Sequence, residues 1–243
     1  MENVQEIDHK LIYVNVISRN LGHWAMFTAF QQAASYASLH GYRVMLSPHV
    51  GDSLVCRARN TALQDFLDRT NAGWYFTLDD DIAIPPDCFV KLVEADKDII
   101  GGFYRLKKDR KKGDNLAEGL AFRIKEPFDL TVEEPVEVFY ISGGCVMHKR
   151  SFLEALKTYY PEREYLENVT DRKIIALYTP FIHPETREYL SEDWAFCQRA
   201  IDKGFKMWMH TGVCCEHWGL QKFNIGDLIQ EALAEEGEGE DNV

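Results

Sequence analysis

Residues 74–86 read WYFTLDDDIAIPP, an apolar run that ends in three consecutive carboxylates, Asp79, Asp80 and Asp81. A short run of aromatic and aliphatic residues before a turn predicts a buried strand. Adjacent carboxylates repel one another, so a cation that neutralises them would stabilise the turn. Oxygen ligands suit a hard divalent ion such as Mg²⁺ or Mn²⁺. The stretch therefore predicts a metal site at a strand end, with a solvated acidic turn as the alternative.

Strand-like and helix-like patterns alternate through the first half of the chain. The predicted strands are residues 11–17, 42–46, 74–78 and 98–102, and the predicted helices are residues 24–40, 53–70 and 86–95. This alternation predicts an α/β fold with a mostly parallel sheet and helices on both faces. Ligands bind beyond the carboxyl ends of the strands in such sheets. Ser18, Asp52 and the three acids fall at those ends, which favours a nucleotide site there.

The second half predicts a smaller region built on a mixed sheet. The predicted strands are residues 116–124, 136–142 and 174–178, the predicted helices are residues 149–159 and 191–203, and residues 179–184 are expected to form a loop over the site. The last helix opens with Glu192 and Asp193. Acids are favoured in the first turn by the helix dipole, so capping is one interpretation of this pair and a catalytic role is the other.

Composition places the 243-residue chain, 46% hydrophobic, among ordinary globular proteins. It has no run of 18 apolar residues, and its first residues lack the basic start and apolar core of a signal peptide, so we expect a cytoplasmic protein. The net charge of −12 is uneven, because residues 231–243 carry six acids and no base. We expect one domain over residues 1–230, followed by a disordered acidic tail over residues 231–243.

Residues 105–112 form a basic stretch. Its six bases are Arg105, Lys107, Lys108, Arg110, Lys111 and Lys112. Such a stretch is either a solvated loop or an arm that attracts a phosphate-rich donor or acceptor.

The order and spacing of these motifs resemble the GT-A glycosyltransferases, in particular compact, family-2-like enzymes from viruses and bacteria. The resemblance spans residues 11–219 and rests on the D-x-D motif at 79–81, the pair Gly143-Gly144, the pair Glu192-Asp193 and His217. It implies a Rossmann-like GT-A fold with a nucleotide-binding half at 11–105 and an acceptor half at 106–220. It further implies transfer of a sugar from a nucleotide diphosphate sugar, here a UDP-sugar, to an acceptor hydroxyl with Mn²⁺ or Mg²⁺.

The resemblance also implies roles for the residues that match. Asp79, Asp81 and His217 match metal ligands, with Asp81 the direct one and Asp79 reaching the ribose or a metal-bound water. An imidazole among these ligands favours Mn²⁺ over Mg²⁺. Asp193 matches the base that removes the acceptor proton in inverting members, and Glu192 matches a group that positions the acceptor.

The remaining matches concern the donor. The implied donor-binding residues are Ser18, Asp52, Arg57, Asp79, Asp80, Gly143 and Gly144. The two glycines would let the backbone approach the donor sugar closely. Trp194 and Trp218 are either sugar-stacking residues or core residues.

The chain departs from the family pattern at two places. Residues 48–53, PHVGDS, replace an acidic-Gly-Ser turn, and His210 stands where an acid is frequent, so the nucleotide contacts and the metal shell stay open. Two other classes also stay open. A sugar-phosphate nucleotidyltransferase would carry a glycine-rich basic loop in place of residues 18–23, and a non-catalytic nucleotide-sugar binding protein would need no acid at the acceptor.

The acceptor is open among a glycan, a protein hydroxyl, a small metabolite and a hydroxymethylated DNA base. Only the basic stretch favours DNA, since phosphate contacts from Lys and Arg dominate binding to nucleic acid.

Overall fold

A computed structural model describes residues 6–18, 22–107, 120–129, 131–168, 170–219, 222–224 and 226. Two predicted features lie wholly or largely outside these residues. They are the acidic tail at residues 231–243, and Lys108, Arg110, Lys111 and Lys112 of the basic stretch.

Within the described residues the helices lie close to their predicted positions. They are α1 (Trp24–Leu39), α2 (Val55–Arg69), α3 (Cys88–Glu94), α4 (Arg150–Tyr159) and α5 (Glu192–Ile201). The strands are β1 (Asp8–Ser18), β2 (Arg43–Val50), β3 (Ala72–Asp79), β4 (Ile82–Ala83), β5 (Ile99–Phe103), β6 (Phe122–Ile124), β7 (Pro135–Ile141), β8 (Cys145–Lys149), β9 (Glu164–Leu166), β10 (Lys173–Ile175), β11 (Phe181–Ile182), β12 (Tyr189–Leu190), β13 (Met207–Cys214), β14 (Glu216–Trp218) and β15 (Lys222–Asn224).

The largest sheet has eight strands in the order β2-β1-β3-β8-β5-β13-β7-β6. The strand β1 pairs in parallel with β2 and β3, and β5 pairs in parallel with β13. The strands β7 and β8 run antiparallel to their neighbours, which makes the sheet mixed. A second, three-stranded sheet of β15, β14 and β4 covers the turn that follows β3. The predicted α/β class with a mostly parallel sheet is confirmed.

Helices pack on both faces of the sheet, as predicted. Residues of α2, α4 and α5 form one buried cluster with the sheet, and residues of α1 and α3 form a second. Alternate residues of β3 enter the two clusters, Tyr75 the first and Trp74 and Phe76 the second. Burial on both sides explains why this strand is a continuous apolar run, as is usual for a central strand of an α/β sheet.

Two local predictions need correction. The strand predicted at residues 42–46 continues to Val50 as β2, with Pro48 opposite Val16. Proline is tolerated there because β2 is an edge strand, and an edge position needs no amide donor on its outer side. Residues 179–184 were expected to be a loop, but Phe181 and Ile182 pair with β12 in a short antiparallel hairpin.

His148 lies buried in the sheet, where its Nδ1 is 3.2 Å from the carbonyl oxygen of Tyr75. Burial lowers the pKa of His148 from 6.5 to about 3. Between these values the unfolded chain binds a proton that the folded chain does not, so the free energy of unfolding rises with pH in this range.

We therefore expect His148→Leu to flatten the pH dependence of stability. On lowering the pH from 7 to 5, the wild type should lose about 2 kcal/mol more than the variant, because one proton is taken up on unfolding. Urea unfolding at both pH values measures the difference. Equal losses in the two proteins would show that His148 is not the responsible group.

Candidate active site

Polar residues from β1, β3 and the start of β8 meet at one edge of the sheet. Ser18 of β1 lies opposite Val50 of β2, and its neighbour Ile17 lies opposite Asp79 of β3, so β1, β2 and β3 end together. The Ser18 hydroxyl donates a hydrogen bond to the Asp80 carboxylate. The Asp79 amide donates to the carbonyl oxygen of Gly144 at 3.0 Å. The structure thus brings together four of the predicted donor-binding residues.

A buried arginine that the sequence prediction did not select, Arg59, lies at the centre of this edge. Its side chain is 4% exposed. One guanidinium nitrogen donates to Asp79 at 2.9 Å, a second donates to the carbonyl oxygen of Gly143 at 3.1 Å, and Nε lies 3.4 Å from Glu192. Arg59 therefore joins the D-x-D turn to the Glu-Asp pair, which lies more than 100 residues further along the chain.

The sequence does contain a signal for Arg59. In the helical pattern of α2 it shares a face with Ala62, Leu63 and Phe66, all of which are buried. A charged residue on a buried face needs partners of opposite charge, so this position could have been recognised as a site residue.

The two adjacent glycines leave space for side chains of the site. A Cβ added at Gly143 would lie 2.7 Å from the guanidinium carbon of Arg59. A Cβ added at Gly144 would lie 2.8 Å from the hydroxyl of Tyr104 and 2.9 Å from Asp79. Both distances are far inside van der Waals contact. These contacts explain why glycine occupies positions 143 and 144 without reference to a ligand. The close approach of a donor sugar to this backbone stays a prediction.

Glu192 and Asp193 open α5 and face Arg59 and Gly143. Asp193 accepts hydrogen bonds from the Ser191 hydroxyl, from the Trp194 amide at 2.8 Å and from the Gly143 amide at 3.2 Å. Two of these partners belong to the first turn of the helix and its N-cap, so the capping role is present. The third, Gly143, ties the acid to the site.

The pKa values of Glu192 and Asp79 are both raised. Burial raises the pKa of Glu192, and Asp193 raises it further, while Arg59 opposes both. Partial burial also raises the pKa of Asp79; Arg59 opposes this, and the charge of Asp81 adds to it. Burial lowers the pKa of Arg59, but the surrounding acids raise it above its ordinary value. The cluster is therefore a network of acids held around one cation.

Asp81 points to a different set of partners. Its carboxylate forms an ion pair with Lys107 and lies 3.5 Å from Nε2 of His217. Burial raises the pKa of Asp81, but His217 and Lys107 outweigh burial and lower it below its ordinary value. The backbone supports this arrangement, because His217 pairs with Ile82 across β14 and β4, and the Trp218 amide donates to the carbonyl oxygen of Asp81 at 2.8 Å.

The geometry around His217 fits a cation. Its Nδ1 is 2.8 Å from the carbonyl oxygen of Arg105. A carbonyl oxygen only accepts, so Nδ1 carries the proton and the lone pair of neutral His217 at Nε2 faces the Asp81 carboxylate. Two acceptors facing each other require a positive charge, either a proton or a metal ion. A histidine held through its other nitrogen by a carbonyl is also the usual arrangement of a metal ligand.

The predicted three-ligand set is not assembled. Asp81 and His217 lie together, whereas Asp79 is bound to Arg59. Among the residues that the structure describes, no group of three or more His, Cys, Asp or Glu side chains is close enough to hold a metal ion. Protein side chains alone would thus supply two ligands, and the others would come from water or substrate oxygens, as is common for Mg²⁺ and Mn²⁺.

Asp52 and Arg57 bind each other. Arg57 donates to Asp52 from Nε at 2.9 Å and from a terminal nitrogen at 2.7 Å, and the Leu54 amide donates to Asp52 at 2.9 Å. The hydrogen bonds from Arg57 lower the pKa of Asp52. The pair therefore closes the turn before α2, close to Ser18, whose carbonyl oxygen accepts from Gly51 at 3.0 Å. A nucleotide contact by either residue stays a prediction.

Other predicted residues have structural partners. The ring of Trp218 stacks on His23 at 5.0 Å, and the ring of Trp194 stacks on Tyr140 at 5.0 Å. His210 accepts a hydrogen bond from the Gly212 amide at 3.1 Å.

The structure describes two bases of the basic stretch, and they differ in exposure. Arg105 is 5% exposed. Lys107 is exposed and forms an ion pair with Asp81.

Replacing Arg59 with Met is expected to destabilise the protein by about 2 kcal/mol or more, because the partly buried carboxylates of Asp79 and Glu192 would lose their buried cation. Arg57→Met is the matched control, since the same change two residues earlier removes an exposed guanidinium. We expect the control to change stability little. Chemical denaturation at pH 7 measures both variants, and equal effects would contradict a central role for Arg59.

No protein-family model matches the sequence, and no curated protein matches it. Solved structures of similar fold include A197 from STIV, with 16% identity, 85% of each chain covered and a TM-score of 0.49. Residues 1–349 of S. aureus TarS share 9% identity over 82% of this chain and 58% of that chain, with a TM-score of 0.42.

The chain is also similar to a glycosyltransferase involved in the glycosylation of the major capsid of PBCV-1. That similarity covers 65% of this chain and 68% of the other, with 14% identity and a TM-score of 0.30. At such identities and TM-scores the likenesses concern the course of the chain and not the reaction.

Within the described residues, none of the helices has the length and apolar character needed to cross a bilayer.

Proposed function

We propose that this protein is a glycosyltransferase that moves a sugar from a nucleotide diphosphate sugar, a UDP-sugar, to an acceptor hydroxyl with Mn²⁺ or Mg²⁺. The observation that supports this most is the meeting of two acidic groups at the carboxyl edge of the sheet. The D-x-D turn after β3 and the Glu192-Asp193 pair of α5 are joined there through Arg59. Transfer of a group between two substrates requires both to be held close together, so one acidic group would serve the donor and the other the acceptor.

On the donor side, Asp81 and His217 would hold the cation. When bound, a divalent cation neutralises the diphosphate and stabilises the charge on the departing nucleotide. Ser18 and Asp80, which are hydrogen-bonded to each other, close the neighbouring strand end and would contact the nucleoside. Lys107, paired with Asp81, supplies a positive charge that can turn to a phosphate oxygen.

On the acceptor side, Asp193 would remove the proton from the acceptor hydroxyl. One of its oxygens, Oδ2, accepts a single hydrogen bond, from Gly143. A carboxylate oxygen has two lone pairs, so the second is available for a hydroxyl proton. Nε of Arg59 lies 3.4 Å from Glu192, and another Arg59 nitrogen donates to the carbonyl oxygen of Gly143, so Arg59 binds the chain on both sides of this acid.

A donor screen tests the proposal. Purified protein is incubated with Mn²⁺ and a panel of UDP-, GDP- and dTDP-sugars, and nucleoside diphosphate release is measured with and without acceptor. Release of UDP or GDP supports the proposal. Formation of pyrophosphate from a sugar phosphate and a nucleoside triphosphate would instead identify a nucleotidyltransferase. Tight donor binding without release, under every condition, would identify a binding protein.

A further inference from the structure

A cavity of about 500 Å³ lies next to the acidic pair on its acceptor side. Its walls come from β6 and the segment before it, from Ser142, from Glu188 and from Trp194. This volume falls within the range of about 300–1,000 Å³ that is typical of sites for small ligands. None of the predicted donor-binding residues lines it.

The cavity is adjacent to Asp193 along two separate parts of the chain. Trp194 follows Asp193 directly on α5, and Ser142 precedes Gly143, whose amide donates to Asp193 at 3.2 Å. Asp193 itself does not line the cavity, but its sequence neighbour Trp194 does, and so does Ser142 next to its partner Gly143. A molecule in the cavity would therefore lie beside the acid, and its hydroxyl would have to extend past Ser142 or Trp194 to come within hydrogen-bond reach of the base.

The lining combines an aromatic surface with one ion pair. Trp194 lines the cavity, and Tyr140, which does not, stacks on it at 5.0 Å and supports the ring. Tyr140 is itself held by Gln198, which accepts from its hydroxyl at 2.5 Å. Indole rings present a negative π face, on which the polarised C–H bonds of a sugar ring pack well.

The ion pair gives the cavity polar groups without net charge. Arg123 donates two parallel hydrogen bonds to Glu188, at 2.8 and 3.0 Å. Each side chain keeps further hydrogen-bonding capacity, Arg123 as a donor and Glu188 as an acceptor. Sugar hydroxyls donate and accept at once, so they match such a pair, whereas a phosphate would meet Glu188 at close range.

We propose that this cavity is the acceptor subsite and that the acceptor is a neutral carbohydrate, with one pyranose ring against Trp194 and its hydroxyls bound to Arg123 and Glu188. The proposal rests on the proposed glycosyltransferase function and selects a glycan from the acceptor classes that the sequence left open. Among the described residues that line the cavity, the positive charge of Arg123 is paired with Glu188, which favours a neutral sugar over the phosphates of a hydroxymethylated DNA acceptor.

The first test measures binding and needs no catalysis. Methyl glycosides of glucose, galactose and N-acetylglucosamine, and their β-1,4-linked disaccharides, are titrated by NMR saturation transfer against the wild type. Binding of at least one is expected, with Kd raised about 2- to 13-fold by Trp194→Ala, the range that loss of one aromatic contact gives. The Kd of Trp194→Phe should lie between those of the wild type and Trp194→Ala. This milder variant keeps the test valid if the Ala variant misfolds.

Trp208→Phe is the matched control. Trp208 packs on the opposite face of the sheet, beneath the ammonium group of Lys97. It should leave sugar binding unchanged. Absence of binding for the whole panel, or equal Kd values in wild type and both Trp194 variants, would overturn the proposal.

The second test concerns charge. Glu188→Ala leaves Arg123 without its bidentate partner, so the cavity should lose affinity for the neutral sugar and gain affinity for the methyl glycoside of glucuronic acid. If the relative affinity for the neutral and the acidic glycoside did not change, Arg123 and Glu188 would not be the side chains that bind the sugar hydroxyls.

Kinetics separate this proposal from the glycosyltransferase proposal itself. In Trp194→Phe, KM for the acceptor should rise, whereas Trp208→Phe should leave unchanged both this KM and the slow release of UDP measured without acceptor. If wild type binds sugars through Trp194 but releases no nucleotide from any donor, the subsite stands and the transferase function fails. If the wild type releases UDP but the Trp194 variants bind every sugar as tightly as the wild type, the transferase function stands and the subsite fails. Stimulation of UDP release by hydroxymethylated DNA alone would also overturn the subsite.

Discussion

Asp81→Ala is expected to abolish divalent-cation-dependent turnover of the sugar nucleotide. Asp81 and His217 are the two side chains that face each other as acceptors, 3.5 Å apart, and removal of the carboxylate leaves one neutral ligand. We expect Mn²⁺ affinity, measured by electron paramagnetic resonance in the absence of donor, to fall at least 10-fold, the lower bound of about 10–100-fold seen when even an outer-shell partner is lost. Donor turnover should fall below detection.

Two controls make this result specific. Asp96→Asn removes an exposed carboxylate that pairs with Lys149 and should bind Mn²⁺ like the wild type. Lys107→Met removes the ammonium that competes with a cation for Asp81, so its Mn²⁺ affinity should equal or exceed that of the wild type. Unaltered Mn²⁺ binding and turnover in Asp81→Ala would remove this residue from the site.

The elements around the donor side were predictable because their signals are local. The run from Trp74 to Asp79 is apolar on both faces of a central strand, and the helices α1 to α3 follow the strands with ordinary helical patterns. Parallel pairing of β1, β2 and β3 then places Ser18 beside the acids without further information. For this reason the convergence of the strand ends could be read from the order of the elements.

The pairing between distant parts could not be predicted in the same way. The strand β8 enters between β3 and β5 and runs antiparallel to both, which depends on tertiary contacts and leaves no periodic signal. The side-chain partners also depend on the fold. Arg57 and Arg59 are two residues apart in one helix, yet the first binds Asp52 at the surface and the second is buried among acids.

Asp79 illustrates the same limit at the level of chemistry. The D-x-D spacing alone does not distinguish the two acids, and it was the family resemblance that implied Asp81 as the direct ligand and Asp79 as reaching the ribose or a metal-bound water. In the structure the side chains at positions 79 and 81 point to different neighbours, since Asp79 is bound to Arg59 and Asp81 faces His217. The buried partner of Asp79 could not be read from the spacing, and the role of Asp81 as direct ligand stays a prediction.

Asp193→Asn is expected to lower kcat by about 100- to 10,000-fold, the usual range for loss of a general base. UDP binding should survive, because the proposed donor contacts lie on β1, β3 and the turn after β3. The side chain of Asn keeps the size of Asp and can still accept from Gly143 or from Trp194 through its single oxygen. The change therefore tests the loss of charge and basicity more than a loss of shape. Calorimetric UDP titration with Mn²⁺ and a transfer assay measure the two effects.

Glu192→Gln is the matched variant, because it removes the neighbouring charge while its amide oxygen can still accept from Arg59. If Asp193 is the base, this variant should retain transfer within about tenfold of the wild type and keep the acid limb of the pH profile of kcat. Burial and Asp193 raise the pKa of Glu192, so Glu192 takes up its proton at a higher pH than an ordinary glutamate. An acid limb that disappears in Glu192→Gln, together with retained transfer in Asp193→Asn, would exchange the roles of the two acids. Glu192 would then be the base, and Asp193 would serve to bind the amides of Gly143 and Trp194.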